Sequence, residues 1–169
     1  MTTPALQKVD HSALKVNQVT IIILNLLAFT FNLPIVTVFV AAALGLGSLL
    51  KVPAFGFVYK YAMKPWGWVK PDVLDDNPEP HRFAQNVGFV FEIAGSIVLY
   101  TLGSVNLWNW SLIWIMVALP ALNAFGGFCV GCAVYYWLGK QKIVPAFSKE
   151  PPAGTFPGMK PRTGAIHES

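Results

Sequence analysis

Two long stretches of this chain are almost free of charge. No charged residue occurs from Val16 to Leu50, and Glu92 is the only one between Arg82 and Lys140. Apolar runs of about 18 residues or more read as membrane spans. The first stretch predicts a helix from Leu14 to Phe31, with Lys15 reaching back to the surface. Asn32-Leu33-Pro34 predicts a turn, because proline disfavours a helical residue before it and suits a helix start. A second helix follows from Ile35 to Leu50, and a third from Phe83 to Leu102. The run Leu107 to Leu138 would be ~48 Å long as one helix, against a bilayer core of about 30 Å. Pro120 offers a break. The preferred reading makes Leu107–Leu119, with Trp108, Trp110 and Trp114, a tilted or interfacial piece, and Ala121 to Leu138 the fourth span. One kinked, strongly tilted helix is the alternative.

Between the apolar stretches, Val52 to Pro65 reads as an amphipathic segment lying on the membrane surface. Phe57 and Tyr61 share one side, and Lys60 and Lys64 another, at i,i+4. Trp66 and Trp68 follow as interface anchors. Lys70 to Pro80 is a polar, proline-rich loop whose acidic residues are expected to be solvated. The polar segment 1–13 lacks the pattern of a cleaved secretory signal and is expected to remain. Residues 148–169 are rich in proline, glycine and charge, and disorder is expected there. The two halves share weak similarities. Lys15-x-x-Gln18 resembles Arg82-x-x-Gln85, and Val52-Pro53-Ala54-Phe55 recurs at Val144-Pro145-Ala146-Phe147.

Composition supports this reading: 54% of residues are hydrophobic and 12% charged, against about 25% charged in a soluble domain. The 12 Lys and Arg side chains fall before the first span, between the second and third, and after the fourth. The positive-inside rule makes all three segments cytoplasmic, which requires an even number of spans. The expected fold is all-α, a polytopic membrane protein with four transmembrane helices in two hairpins. Its membrane domain covers 14–147, with both termini cytoplasmic, in a bacterial inner membrane. The net charge of +4 then reports topology and contact with the lipid bilayer, not nucleic-acid binding.

Three residues stand out as candidates for chemistry. Cys129 and Cys132 are the only cysteines, in Gly127-Phe128-Cys129-Val130-Gly131-Cys132. If the helix restarts after Gly126-Gly127, the pair sits at a helix N-terminus, where the dipole favours thiolate. Burial in lipid opposes that, and Gly127-x-x-x-Gly131 equally suits plain helix packing. Glu92 is the one charged side chain deep in a span, where a charge costs at least ~2.5 kcal/mol. It is expected to face the bundle interior, as a proton partner for the thiols or as a hydrogen-bond partner of Asn25 or Asn123. Counted back from Lys140, the cysteines fall at a depth similar to Glu92. No metal or cofactor is expected. A structural zinc site wants four ligands, and only His11 and His81, both placed near the surface, are at hand. Covalent haem attachment needs His where Ala133 stands.

Val9-Asp10 with Lys15-Val16-Asn17-Gln18, then Pro80-His81-Arg82-Phe83-Ala84-Gln85, then the cysteine motif together resemble the domain of unknown function 4395 family of bacterial membrane proteins. The likeness spans about residues 8 to 140. It implies that the cysteine motif is a family feature, and it supplies no activity. The leading expectation is a thiol-redox or sulfur-handling protein using Cys129, Cys132 and Glu92, with a thioredoxin-like or sulfurtransferase partner. A scaffold or subunit is the alternative, packing a membrane-protein partner or a second copy against small-residue faces such as Ala41 and Gly45. A small transporter, with Glu92 and Asn25 in the path, is the third.

Overall fold

The computed structural model describes residues 7–141 and 155–161. Its elements are β1 (Gln7–Asp10), α1 (His11–Thr30), α2 (Pro34–Leu50), the single turn α3 (Gly56–Val58) continued by a π-helical turn (Tyr59–Met63), β2 (Val73–Asp76), α4 (Pro78–Leu102), a 3₁₀ turn (Leu107–Trp110), α5 (Ser111–Gly126) and α6 (Val130–Lys140). The stretches His11–Thr30, Pro78–Leu102 and Leu107–Gly126 are each long and apolar enough to cross a membrane; α2 is a shorter apolar helix.

Local signals set these boundaries. Asp10 caps α1 by accepting the Ser12 N–H at 3.0 Å. Asn32 turns left-handed (φ 51°), and the Leu33 N–H bonds back to the Ala28 carbonyl, so the chain reverses into α2 with Pro34 in its first turn. α2 packs along α4, and α1 along α5. Gly45 and Gly47 permit the first contact. A Cβ on Gly45 would stand 3.0 Å from the Phe89 ring, and one on Gly47 only 2.7 Å from Gln85 Nε2 and 2.8 Å from Ala54 Cα.

Two apolar clusters fill the interior, one around Ile21, Val40, Leu44, Phe55 and Met116, the other around Ala28, Leu99, Trp110 and Ile113. Between the helices lie paired polar groups. Asn25 Nδ2 donates to Glu92 Oε2 at 3.3 Å, and Thr37 and Ser96 share a hydroxyl bond of 2.8 Å. The outer face is apolar, with Phe39, Leu49 and Phe125 all exposed.

Three sequence expectations need correction. Ala121 to Leu138 is not one helix. α5 passes through Pro120 and ends at Gly127 (φ 67°), a conformation open to glycine, so Leu107–Leu119 belongs to the same helical stretch as 120–126. The loop Lys70 to Pro80 contains β2, which pairs antiparallel with β1 in the register Gln7↔Asp76 to Asp10↔Val73. The surface segment, by contrast, keeps Phe57 and Tyr61 exposed, and turns Phe55 and Tyr59 into the protein. In the segment expected to be disordered, residues 155–161 are bonded to the rest of the chain; its other residues lie outside the described ones.

Candidate functional site

The site forms where four chain segments meet: the start of α1, the end of β2, the start of α4 and the start of α6. Cys129 is the N-cap of α6, and its sulfur accepts the Cys132 N–H at 3.2 Å. The two sulfurs are joined as a disulfide, with Cα atoms 5.2 Å apart. Both cysteines are buried. α6 reaches α4 so closely only because residue 131 is glycine. A Cβ there would lie 2.6 Å from Ala84 Cβ and 2.9 Å from its Cα.

That approach sets Cys132 Sγ 3.5 Å from His81 Nδ1. The other ring nitrogen, Nε2, lies 3.0 Å from Asp76 Oδ2. A carboxylate only accepts, so Nε2 carries the hydrogen, and in the neutral imidazole Nδ1 turns its lone pair toward Cys132. His11, the first residue of α1, brings its own Nε2 to 3.2 Å from the same Asp76 oxygen, its ring edge-on to His81. The second Asp76 oxygen accepts the Asn77 N–H at 2.7 Å. Burial pushes the Asp76 carboxyl up, but the contacts with His11, His81 and the Asn77 amide outweigh it and hold the group well below the usual carboxylate range. The β1–β2 pairing puts this carboxylate in place, since Asp76 closes the ladder next to the start of α4.

A strap from the C-terminal segment lies over the pair. The Cys129 N–H donates to the Gly158 carbonyl at 2.7 Å, the Lys160 N–H to the Gly127 carbonyl at 3.3 Å, and Phe128 bridges to Met159. Gly158 (φ 88°) has no room for a Cβ, which would meet the Cys129 carbonyl at 2.7 Å. Lys160 pairs with Asp72, tying the strap to the approach to β2. Beside the pair, a cavity of about 460 Å³ is lined by both cysteines, His81, Lys15, Lys70 and Lys160 among others.

The family model described as Domain of unknown function (DUF4395) matches residues 9–140. The chain belongs to that family. The DUF4395 match contains every side chain of the cysteine–histidine–aspartate cluster and stops short of the strap at 155–161. No curated protein and no solved structure matches the chain.

Of the three sequence candidates, the structure brings two together. Cys129 and Cys132 are bonded, whereas Glu92 is wholly buried against Asn25. Glu92 follows His81 by eleven residues on α4, so it stands ~16 Å further along the helix. The cysteines are therefore level with the start of α4 and not with Glu92. Counting back from Lys140 misplaces them because α6 is a separate helix packed on α4 and not a continuation of α5. The sequence does not point to His81 and Asp76 as partners of the cysteines. His81 was visible in Pro80-His81-Arg82, but nothing local joins it to residues 129–132; Asp76 lay in a stretch that reads as solvated loop. Gly131→Ala tests the packing that unites them. The extra methyl is expected to cost about 1–3 kcal/mol in thermal unfolding of the detergent-solubilised protein, since Ala84 meets it with backbone.

Proposed function

We propose that this chain is an integral membrane dithiol–disulfide exchange protein whose working pair is Cys129–Cys132. The observation that carries the reading is the bonded pair at the start of α6 with the His81–Asp76 dyad against Cys132. A residue kept only for packing needs no oriented imidazole. The small-residue face of α2, the best surface for a scaffold, is already used inside the chain, by Gly45 and Gly47 against α4.

The exchange balances as follows. Cys129, the more exposed of the two, gives its thiol proton to solvent and attacks one sulfur of a partner disulfide as thiolate. A bond forms between Cys129 and that sulfur, and the partner's second sulfur leaves as thiolate. Cys132 passes its proton toward His81 Nδ1 and attacks Cys129 Sγ. The intramolecular disulfide forms and the partner's first sulfur leaves as thiolate, so the partner disulfide has gained two electrons in all and Cys129 and Cys132 have lost one each. The reverse sequence reduces the pair. A thioredoxin-like protein, which carries two sulfurs that alternate between dithiol and disulfide, fits this chemistry.

In this reading α1, α2, α4 and the stretch Leu107–Gly126 make four spans in two hairpins, with α6, the β1–β2 pair and both termini on the cytoplasmic side of an inner membrane. The lysines beside the cavity fit that side. A membrane-impermeant maleimide tests redox state and topology together. After reduction it is expected to label Cys129 in inverted vesicles and neither cysteine in right-side-out vesicles; without reduction it labels neither. Free thiols in the unreduced protein at every partner redox poise, or labelling from the opposite side, would sink the proposal.

A further inference from the structure

We infer that the reduced cysteine pair and His81 form a zinc site, with two thiolates and one imidazole as ligands and a fourth position open to the cavity. The inference rests on the reading that the pair is reduced and reoxidised. Cys129 Sγ, Cys132 Sγ and one His81 ring nitrogen all lie within 4.8 Å of one another. On a tetrahedral zinc, a sulfur and a nitrogen ligand stand ~3.6 Å apart, from bond lengths of about 2.3 and 2.1 Å. Cys132 Sγ and His81 Nδ1 are already at 3.5 Å. The sulfurs need only move from bonded contact to ~3.8 Å.

The surroundings match what such a site requires. A metal-ligating histidine donates its other ring N–H to a carboxylate, which fixes the tautomer and aims the lone pair. His81 does this: its Nε2–H is held by Asp76 at 3.0 Å, and His11 Nε2 stands 3.2 Å from the same carboxylate oxygen. Two sulfurs and a nitrogen select a thiophilic cation over a hard one. Three protein ligands beside a cavity of about 460 Å³ leave a position for water or a small thiol. His11, Asp76 and His81 also cluster. A metal there would bind through His81 Nε2 and strip the hydrogen from the bond that orients the ring.

Metal entry is coupled to redox state. A dithiol reductant gives two electrons and two protons to the Cys129–Cys132 bond, becoming a disulfide itself. Zinc then replaces the two thiol protons, which go to solvent. Oxidation of the pair removes both sulfur ligands and releases the ion, so the site is a redox-gated one.

Cobalt(II) serves as the spectroscopic stand-in for zinc, titrated into the full chain in detergent after reduction and removal of the reductant. One equivalent is expected to give a thiolate-to-metal charge-transfer band with tetrahedral d–d absorption, both abolished by equimolar zinc. The oxidised protein is expected to give neither. His81→Ala is expected to lose the tetrahedral bands, and Asp76→Asn, which keeps all three ligands, to weaken binding about 10- to 100-fold. A thiol count on the same sample separates the two readings: two thiols without a cobalt band would overturn the zinc site and leave the exchange intact. Cobalt binding without thiolate charge transfer, persisting in the oxidised protein, would place the metal at His11, Asp76 and His81 and overturn the assignment. An unchanged spectrum in His81→Ala with native circular dichroism would do the same.

Discussion

Cys132→Ser is expected to convert this protein into a trap. With its resolving sulfur gone, a mixed disulfide between Cys129 and a partner has no internal route to release. Cys129 is the attacking residue because it caps α6 and is the less buried of the two (8% exposed, against 3% for Cys132). Cys132 is enclosed between His81 and the packed start of α6. The expected result is a reductant-sensitive adduct on non-reducing gels in Cys132→Ser. Cys129→Ser gives none, since the remaining thiol is the buried one. The effect is close to all-or-none, because two-step exchange requires both sulfurs. Equal adduct yields from the two variants would refute the order of attack. No adduct from either, with the protein folded, would remove the exchange reading itself.

The second large effect concerns the interior of the bundle. Asn25 and Glu92 share one hydrogen bond, while Asn25 Oδ1 and Glu92 Oε1 are buried with no protein partner among the described residues. A glutamine at 92 keeps an acceptor for Asn25 Nδ2 and places no charge among the apolar helices. Glu92→Gln is therefore expected to unfold at or above the wild-type temperature. Glu92→Ala leaves the Asn25 amide unpaired and opens a cavity; about 2–5 kcal/mol of destabilisation follows, combining a lost buried partner with a large-to-small change. Thermal unfolding in detergent compares the three proteins. A Glu92→Gln variant destabilised as much as Glu92→Ala would show that the carboxyl does something an amide cannot, and would return Glu92 to the list of functional groups. Thiol exchange in Glu92→Gln is expected to match wild type, because His81 and not Glu92 contacts Cys132.

The distinction between these two sites explains which parts of the protein are legible in its sequence. Glu92 and Asn25 announce themselves, since polar groups in an apolar stretch must find each other and few candidates exist. Pro34, Asn32 and the apolar lengths place α1, α2 and α4 within a few residues of where they lie. Pro120 misleads because a proline inside a helix costs one hydrogen bond and need not end it, whereas the left-handed Gly127 does end it. The strands β1 and β2 escape notice because four-residue segments such as Val73–Asp76 carry too few alternations to show a period.

The sequence alone determined the kind of molecule: apolar helices with a few polar groups between them, and one cysteine pair in the last apolar stretch. Those properties follow from local periodicity, backbone preference and the cost of burying charge, all readable within a few turns of chain. Only the tertiary structure decided what stands beside the cysteines. Asp76 is 53 residues before Cys129 and belongs to a strand held by residues 7–10; His81 opens a different helix; the strap arrives from 155–161. Their meeting depends on a missing Cβ at Gly131 and on a four-residue ladder. Such contacts join positions far apart in the chain, and no local pattern encodes them.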